Sequence, residues 1–330
     1  MKLDKKSFSK ELTRYRIDIP GFTAVWLIRI ITYAVLLLLF TILGKIFFEG
    51  IEIINWEFLT EVPKNNMTEG GIGPAIIGTL GVAFLMILFS VPVGVFAAIY
   101  INEYAENNFL TRVVRISVNN LAGTPSIVIG LFGLGFFVLF VGRGIDELLG
   151  TGLLFGRPAM LWASATLAVL VLPTIIVATI EALNSVPASQ RAAAFGLGAS
   201  KWQTVRDVVL PQAKPGILTG IILAVSRGVG ETAPVLFLGC AFFLPNIPLA
   251  YLDLGVFSIP MVNPTEQFMY LSYHIFILAT QSTNPTLTIP MQYGTTLVLI
   301  TITILLNLTA IIFRYKFRQI LSDVKKADNL

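Results

Sequence analysis

Arg227 and Glu231 are the residues whose types and spacing most invite chemistry. They stand four residues apart in an otherwise apolar stretch, a spacing that makes side chains neighbours on one face of a helix. An isolated charge in a membrane-embedded helix costs roughly 2.5 to 3.5 kcal/mol on insertion scales, so the pair has to face protein or water. Gly228, Gly230 and Pro234 surround it; such residues bend or loosen a helix and free backbone groups that can line a cavity. The pair therefore marks a candidate polar path, and the plainer alternative is a salt bridge that tethers two helices. Catalytic readings fare worse. Ser226 has no histidine in the membrane to activate it. Gly142 to Asp146 carries one residue too many before the Asp for an intramembrane aspartyl protease, and no second membrane-embedded Asp shares its proton. No G-x-x-x-x-G-K-[ST] occurs, so any ATP must be bound by another chain. His274 is the only histidine and Cys240 the only cysteine, which argues against a metal site and rules out an intrachain disulfide.

The elements that must position Arg227 and Glu231 are membrane helices. Hydrophobic residues make up 55% of the 330, charged residues 13%, and the mean hydropathy is +0.80, far above an ordinary soluble domain. Apolar runs long enough to cross about 30 Å of hydrocarbon fall near 26–48, 74–101, 119–141, 159–181, 216–243 and 293–313. Six spanning helices is the simplest count. The first runs past the length of a secretory signal and lacks an A-x-A site, so it is expected to stay. Lys and Arg concentrate in residues 1–22, at Arg112 and Arg115, between Arg191 and Lys214, and after Arg314, while residues 244–292 have none. The positive-inside rule then puts both termini and the 181–215 segment in the cytoplasm. The net charge of +4 reflects this topology; no basic patch interleaved with aromatics points to nucleic acid.

That segment, polar and rich in Gly and Ala between two apolar spans, carries Ala193-Ala194, then Gly198, then Val208 and Leu210-Pro211. It resembles the EAA loop of ABC importer permeases, in which two short helices hinged at a glycine plug into a cleft on the ATPase. Three further stretches are similar to PstA-type permeases of phosphate importers: Gly70 to Thr79, Thr124 to Gly133 with its T-P-S-I-V-I-G, and Arg227 to Phe237 with its G-E-T-A-P. The match runs from about residue 70 to the C-terminus. One departure is plain: Ala192, preceded by Arg191, stands where the family's loop carries Glu.

The resemblance implies an all-α polytopic protein with a type I importer (MetI-like) permease fold. Residues 1–69 would form a cytoplasmic N-terminus, first span and external segment; 70–315 the five-helix core including the 181–215 coupling loop; and 316–330 a cytoplasmic tail. It implies a subunit of the bacterial or archaeal plasma membrane that moves inorganic phosphate inward. Its partners would be a PstC-like permease, a PstB-like ATPase pair holding ATP and Mg, and a PstS-like phosphate-binding protein. The chain itself would be no enzyme and hold no cofactor. Arg227, Glu231, Thr232 and Ser126 would line the substrate path. Arg191, Ala193, Ala194, Gly198, Ser200, Leu210 and Pro211 would serve coupling to the ATPase. The rival readings are a permease for another oxyanion such as sulfate or molybdate, and an ATP-independent secondary transporter.

Overall fold

The computed structural model describes residues 19–244, 249–253 and 258–327. The basic residues at 2–16, which carry part of the orientation argument, lie outside these. Among the described residues six helices are long and apolar enough to cross a membrane: Gly21–Ile51, Gly73–Tyr104, Ser126–Leu149, Met160–Asn184, Lys201–Gly230 and Pro285–Lys316. The count expected from hydropathy holds, and several boundaries do not, those of the fifth span by the widest margin.

The first span is a body by itself. Its apolar side chains, Leu37, Leu38 and Phe40 among them, are exposed all round, as suits a helix that lipid or another chain covers. In the second body the second and fourth spans pack closely through Val82, Ala83 and Met86 against Leu167, Val171 and Ile175. The fifth span adds Ala224, Val225 and Val229 to the same core. Glycines permit the closest approaches. A Cβ at Gly78 would collide with the Met269 carbonyl, and one at Gly228 with the Met86 sulfur. At Gly130 a Cβ would sit 2.8 Å from the Pro234 Cα. The three stretches that resemble the permease family are thus packing seams, the first with Met269 in one hydrophobic cluster and the other two in the core around Val171.

The expected third span at 119–141 is two elements. An amphipathic helix, Phe109–Ala122, is capped by Asn108, and the spanning helix begins only at Ser126 and runs to Leu149. Pro125 forces the break, since it disfavours helical backbone at Thr124.

The fifth span lies further toward the N-terminus than hydropathy places it. In place of 216–243, it begins at Lys201 and ends at Gly230, and Glu231 is already extended, at φ −75° and ψ 130°. Pro234 accounts for the end, because its ring would clash with the carbonyl four residues back, that of Gly230. Beyond the break the chain makes a 3-10 turn at Val235–Phe237 and a bridge from Cys240 to Phe268, so Cys240 lies outside the span. The third correction concerns Leu210-Pro211, which lies within the continuous helix from Lys201 to Gly230 and not at the end of a loop. A π-helical turn at Thr204–Val209 immediately precedes Pro211. A wider turn there eases the loss of the proline's N–H.

Between the fifth and sixth spans the chain forms a hairpin, Leu249–Asp253 against Ser258–Val262, and a short apolar helix, Leu271–Thr280. His274 is buried in that helix with both ring nitrogens unpartnered. Burial pushes its pKa down to about 4, so the ring is neutral and serves packing.

Candidate functional site

The polar end of the fifth span is built by the helix break. Arg227 lies in the last helical turn and Glu231 just past it, with Nε to Oε1 at 3.4 Å and side chains 43% and 21% exposed. Both belong to one segment, so their pair cannot tether two helices. At that exposure and distance it also contributes little to stability. Carbonyls at the helix end are met by a residue that the sequence did not single out. The buried Tyr270 hydroxyl donates to Gly228 O at 3.1 Å and Val229 O at 2.9 Å. Burial pushes its pKa upward, which keeps it a neutral donor. Ser272 Oγ donates to the Glu231 carbonyl at 3.2 Å, and Leu271 N to Thr79 Oγ1 at 2.9 Å. The broken helix end is thereby fixed to the second span and to the Leu271–Thr280 helix.

Thr232 comes after Glu231 in the extended segment and is half-buried. Ser126 opens the third spanning helix, one turn before Gly130, where that helix meets Ala233 and Pro234. The structure therefore brings Arg227 and Glu231 into direct contact and sets Ser126 on the helix packed against the same segment. The spacing of Arg227 and Glu231 and the G-E-T-A-P stretch signalled this site; Tyr270 and Ser272 sit in a stretch with no periodic signal. Tyr270→Phe would take the hydroxyl from the buried Val229 carbonyl, while Gly228 O keeps the Glu231 N–H; one such loss costs about 1–3 kcal/mol. A lowered thermal midpoint of the detergent-purified protein is the expected result.

Within the 181–215 segment the fourth span ends at Asn184, and a short helix, Ala188–Gly196, follows and closes on a Schellman turn. Gly198, at φ +84°, donates to Phe195 O at 3.0 Å, and Ala199 N donates to Ala194 O at 3.1 Å. Ser200 then caps the next helix through a reciprocal capping box with Gln203. Ala194 is buried and Ala193 exposed. Leu210 and Pro211 are half-buried in the fifth-span helix. Phe195, Leu197 and Trp202 stand exposed around the Gly198 turn, an apolar patch at the tip of a polar segment.

Arg191 points inward. Its Nη2 donates to Glu103 Oε1 at 2.9 Å and to Leu183 O at 2.8 Å, and its Nη1 to Val186 O at 2.7 Å. The two side chains are only 20% and 11% exposed. One guanidinium thus joins the segment to the ends of the fourth and second spans. Nothing in the sequence marks this pair, whose members lie 88 residues apart.

Residues 90–322 match the family described as binding-protein-dependent transport system inner membrane component. The probable ABC transporter permease protein YqgI of Bacillus subtilis is 34% identical over 192 residues, 58% of this chain and 61% of that protein. The phosphate transport system permease protein PstA of Xylella fastidiosa is 33% identical over 210 residues, 62% of this chain and 69% of that one. Its counterpart in Yersinia pestis is 33% identical over 238 residues, 70% and 75% of the two chains. The match to the first of these relatives spans about three fifths of its length. Among solved structures, an inward-facing MetNI methionine ABC transporter superposes with a TM-score of 0.51 at 19% identity, over 75% of this chain and 94% of that one. A bacterial ABC transporter involved in the import of alginate gives 0.58 at 13% identity, over 94% and 99%. At these identities the likeness is one of fold.

Proposed function

The chain belongs to the family of binding-protein-dependent transport inner-membrane components, and from that premise we propose that it is the PstA-type permease subunit of an ATP-driven phosphate importer. The observation that carries this reading is the broken end of the fifth span. There Arg227 and Glu231 stand half open beside each other, in the G-E-T-A-P stretch that resembles phosphate permeases. A guanidinium fork can hold two oxygens of a tetrahedral oxyanion at once. The carboxylate of Glu231 can accept a hydrogen bond from a protonated phosphate, whereas sulfate carries no proton at neutral pH. Two relatives named as phosphate permeases, matched over 62% and 70% of this chain, support the same substrate.

In this reading the 181–215 segment docks on an ATPase subunit that binds ATP and Mg²⁺. The exposed Phe195, Leu197 and Trp202 supply the apolar contact. A second permease completes the pore and a binding protein delivers phosphate from outside. An affinity-tagged chain, coexpressed with the products of its neighbouring reading frames, is expected to retain an ATPase through detergent purification. Retention of no ATPase contradicts the reading and favours an ATP-independent transporter.

Orientation gives a second expectation. Lys201 and both termini lie in the cytoplasm, with Glu147 and Asn263 outside, because the basic residues divide that way. In a Cys240→Ser background, single cysteines at 147 and 263 are expected to react with an impermeant thiol reagent on intact cells, and one at 201 only after lysis. External reactivity at 201 overturns the assignment.

A further inference from the structure

The second span ends in a π-helical turn, Tyr100–Tyr104, on which three basic residues from three other elements converge. Arg191 of the Ala188–Gly196 helix reaches Glu103 Oε1 at 2.9 Å. Lys201, on the far side of the Gly198 turn, holds its ammonium 5.0 Å from the centre of the Tyr104 ring, within cation–π range. Arg115 of the amphipathic helix donates to Ile101 O at 3.0 Å. The π register explains the last contact. Ala105 N donates to the carbonyl five residues back, that of Tyr100, at 2.8 Å. An α-helical turn would have used the Ile101 carbonyl, which the wider turn leaves for Arg115. Asn102 Nδ2 lies 3.0 Å from the same Glu103 oxygen and fixes its position. Beneath these polar contacts Ile99 packs with Leu183, Val186, Val205 and Val209.

The 181–215 segment is thus gripped on both sides of Gly198 by one turn of the second span. That span continues for roughly 25 Å of helix to Met86 and roughly 35 Å to Thr79. Met86 fills the space at Gly228, and Thr79 accepts from Leu271 N, beside the Tyr270 that holds the end of the fifth span. We propose that the second span is the rod that carries movement of the 181–215 segment to the Arg227–Glu231 end, and that Glu103 is the residue by which the segment pulls it. The proposal rests on the reading of that segment as the seat of the ATPase. Its physical basis is that a largely buried, charge-assisted pair resists separation far more than an exposed one. The segment therefore cannot move away from the second span without breaking it.

The test uses the full complex of both permeases, ATPase and binding protein in vesicles, with ATP hydrolysis and phosphate uptake measured together. Glu103→Ala leaves Arg191 its two carbonyl partners, so assembly is expected to persist. Hydrolysis should stay near wild type while phosphate moved per ATP falls on the order of tenfold. Arg191→Ala, which also gives up the Leu183 and Val186 carbonyls, should lower phosphate moved per ATP at least as far, and adding Glu103→Ala to it should lower it no further, since the two act as one unit. Placing cysteines at 103 and 191 in a Cys240→Ser background should uncouple the complex, and a short thiol-to-thiol cross-linker should restore uptake per ATP. Equal losses of hydrolysis and uptake, no loss of either, or quantitative cross-linking without recovery each overturn the proposal. The underlying reading is judged separately, on the wild-type complex. If that shows no ATP-dependent uptake, the functional reading fails first and the proposal with it.

Discussion

Arg227→Lys is expected to lower phosphate uptake by about 10- to 100-fold, the equivalent of roughly 1.5–3 kcal/mol for a lost hydrogen bond to a charged group, while protein level and ATPase binding stay unchanged. Lysine keeps the charge but presents a single ammonium in place of a planar fork, so it cannot hold two oxygens of one anion in fixed geometry. The structure sharpens this expectation. Had Arg227 and Glu231 come from two helices, their pair could be a tether whose loss damages the fold. Instead they are joined across one helix end, 3.4 Å apart and partly open. Tyr270 and Ser272 fix that end through its backbone, independently of the charged groups. Glu231→Gln, whose amide also donates, is expected to admit sulfate that the carboxylate repels. Replacing both residues by apolar ones of similar size separates the two explanations. A pair that only steadies the helix end would be replaced and uptake recovered, whereas a substrate contact would be lost for good.

Gly198→Val is the second large effect, expected as uncoupling or release of the ATPase with near-normal amounts of protein in the membrane. Gly198 has φ +84° and closes the Schellman turn between the Ala188–Gly196 helix and the capping box at Ser200. Beyond its own chain neighbours nothing lies within 4 Å of where its Cβ would be, so the cost is conformational and not one of space. A left-handed conformation costs an L-residue about 1–2 kcal/mol, and branching at Cβ makes it less accessible still. Valine is therefore expected to redirect the chain at the turn and swing Phe195 and Leu197 away from Trp202. Gly198→Ala, with the smaller penalty, should be intermediate. ATPase retention and uptake per ATP, measured for both, read the effect. Full coupling in the valine variant would show that the turn is not needed.

The two sites differ in how far the sequence reveals them. The six spans are legible because twenty or so consecutive apolar residues have few other uses, and the type I importer permease fold expected from the motifs is the one found. Where spans begin and end is less so. Hydropathy sums composition, and Ala233 to Phe243 is as apolar as a helix although Pro234 ends the helix at Gly230. The same blindness merges Asn119 to Ala122, the end of an amphipathic helix, with the third span beyond Pro125. Gly198 and Ser200 can be recognised because a Schellman glycine and a capping box are local in sequence. Glu103 cannot. Its meaning depends on Arg191, brought to it by the packing of the second and fourth spans, and a single sequence records no such pairing. Arg191, grouped from the motif with residues that couple to the ATPase, turns inward as the bolt of the segment. It takes a position next to Ala192, where the family's Glu is missing.

ATP-driven phosphate import is most directly tested by uptake of radiolabelled phosphate into vesicles that hold the complete complex, with binding protein outside and ATP enclosed. Phosphate is expected to accumulate with hydrolysable ATP and not with a nonhydrolysable analogue, with excess unlabelled sulfate or molybdate leaving the rate unchanged and Arg227→Lys nearly abolishing it. Accumulation independent of ATP, or sulfate or molybdate taken up in preference to phosphate, would contradict the proposed function.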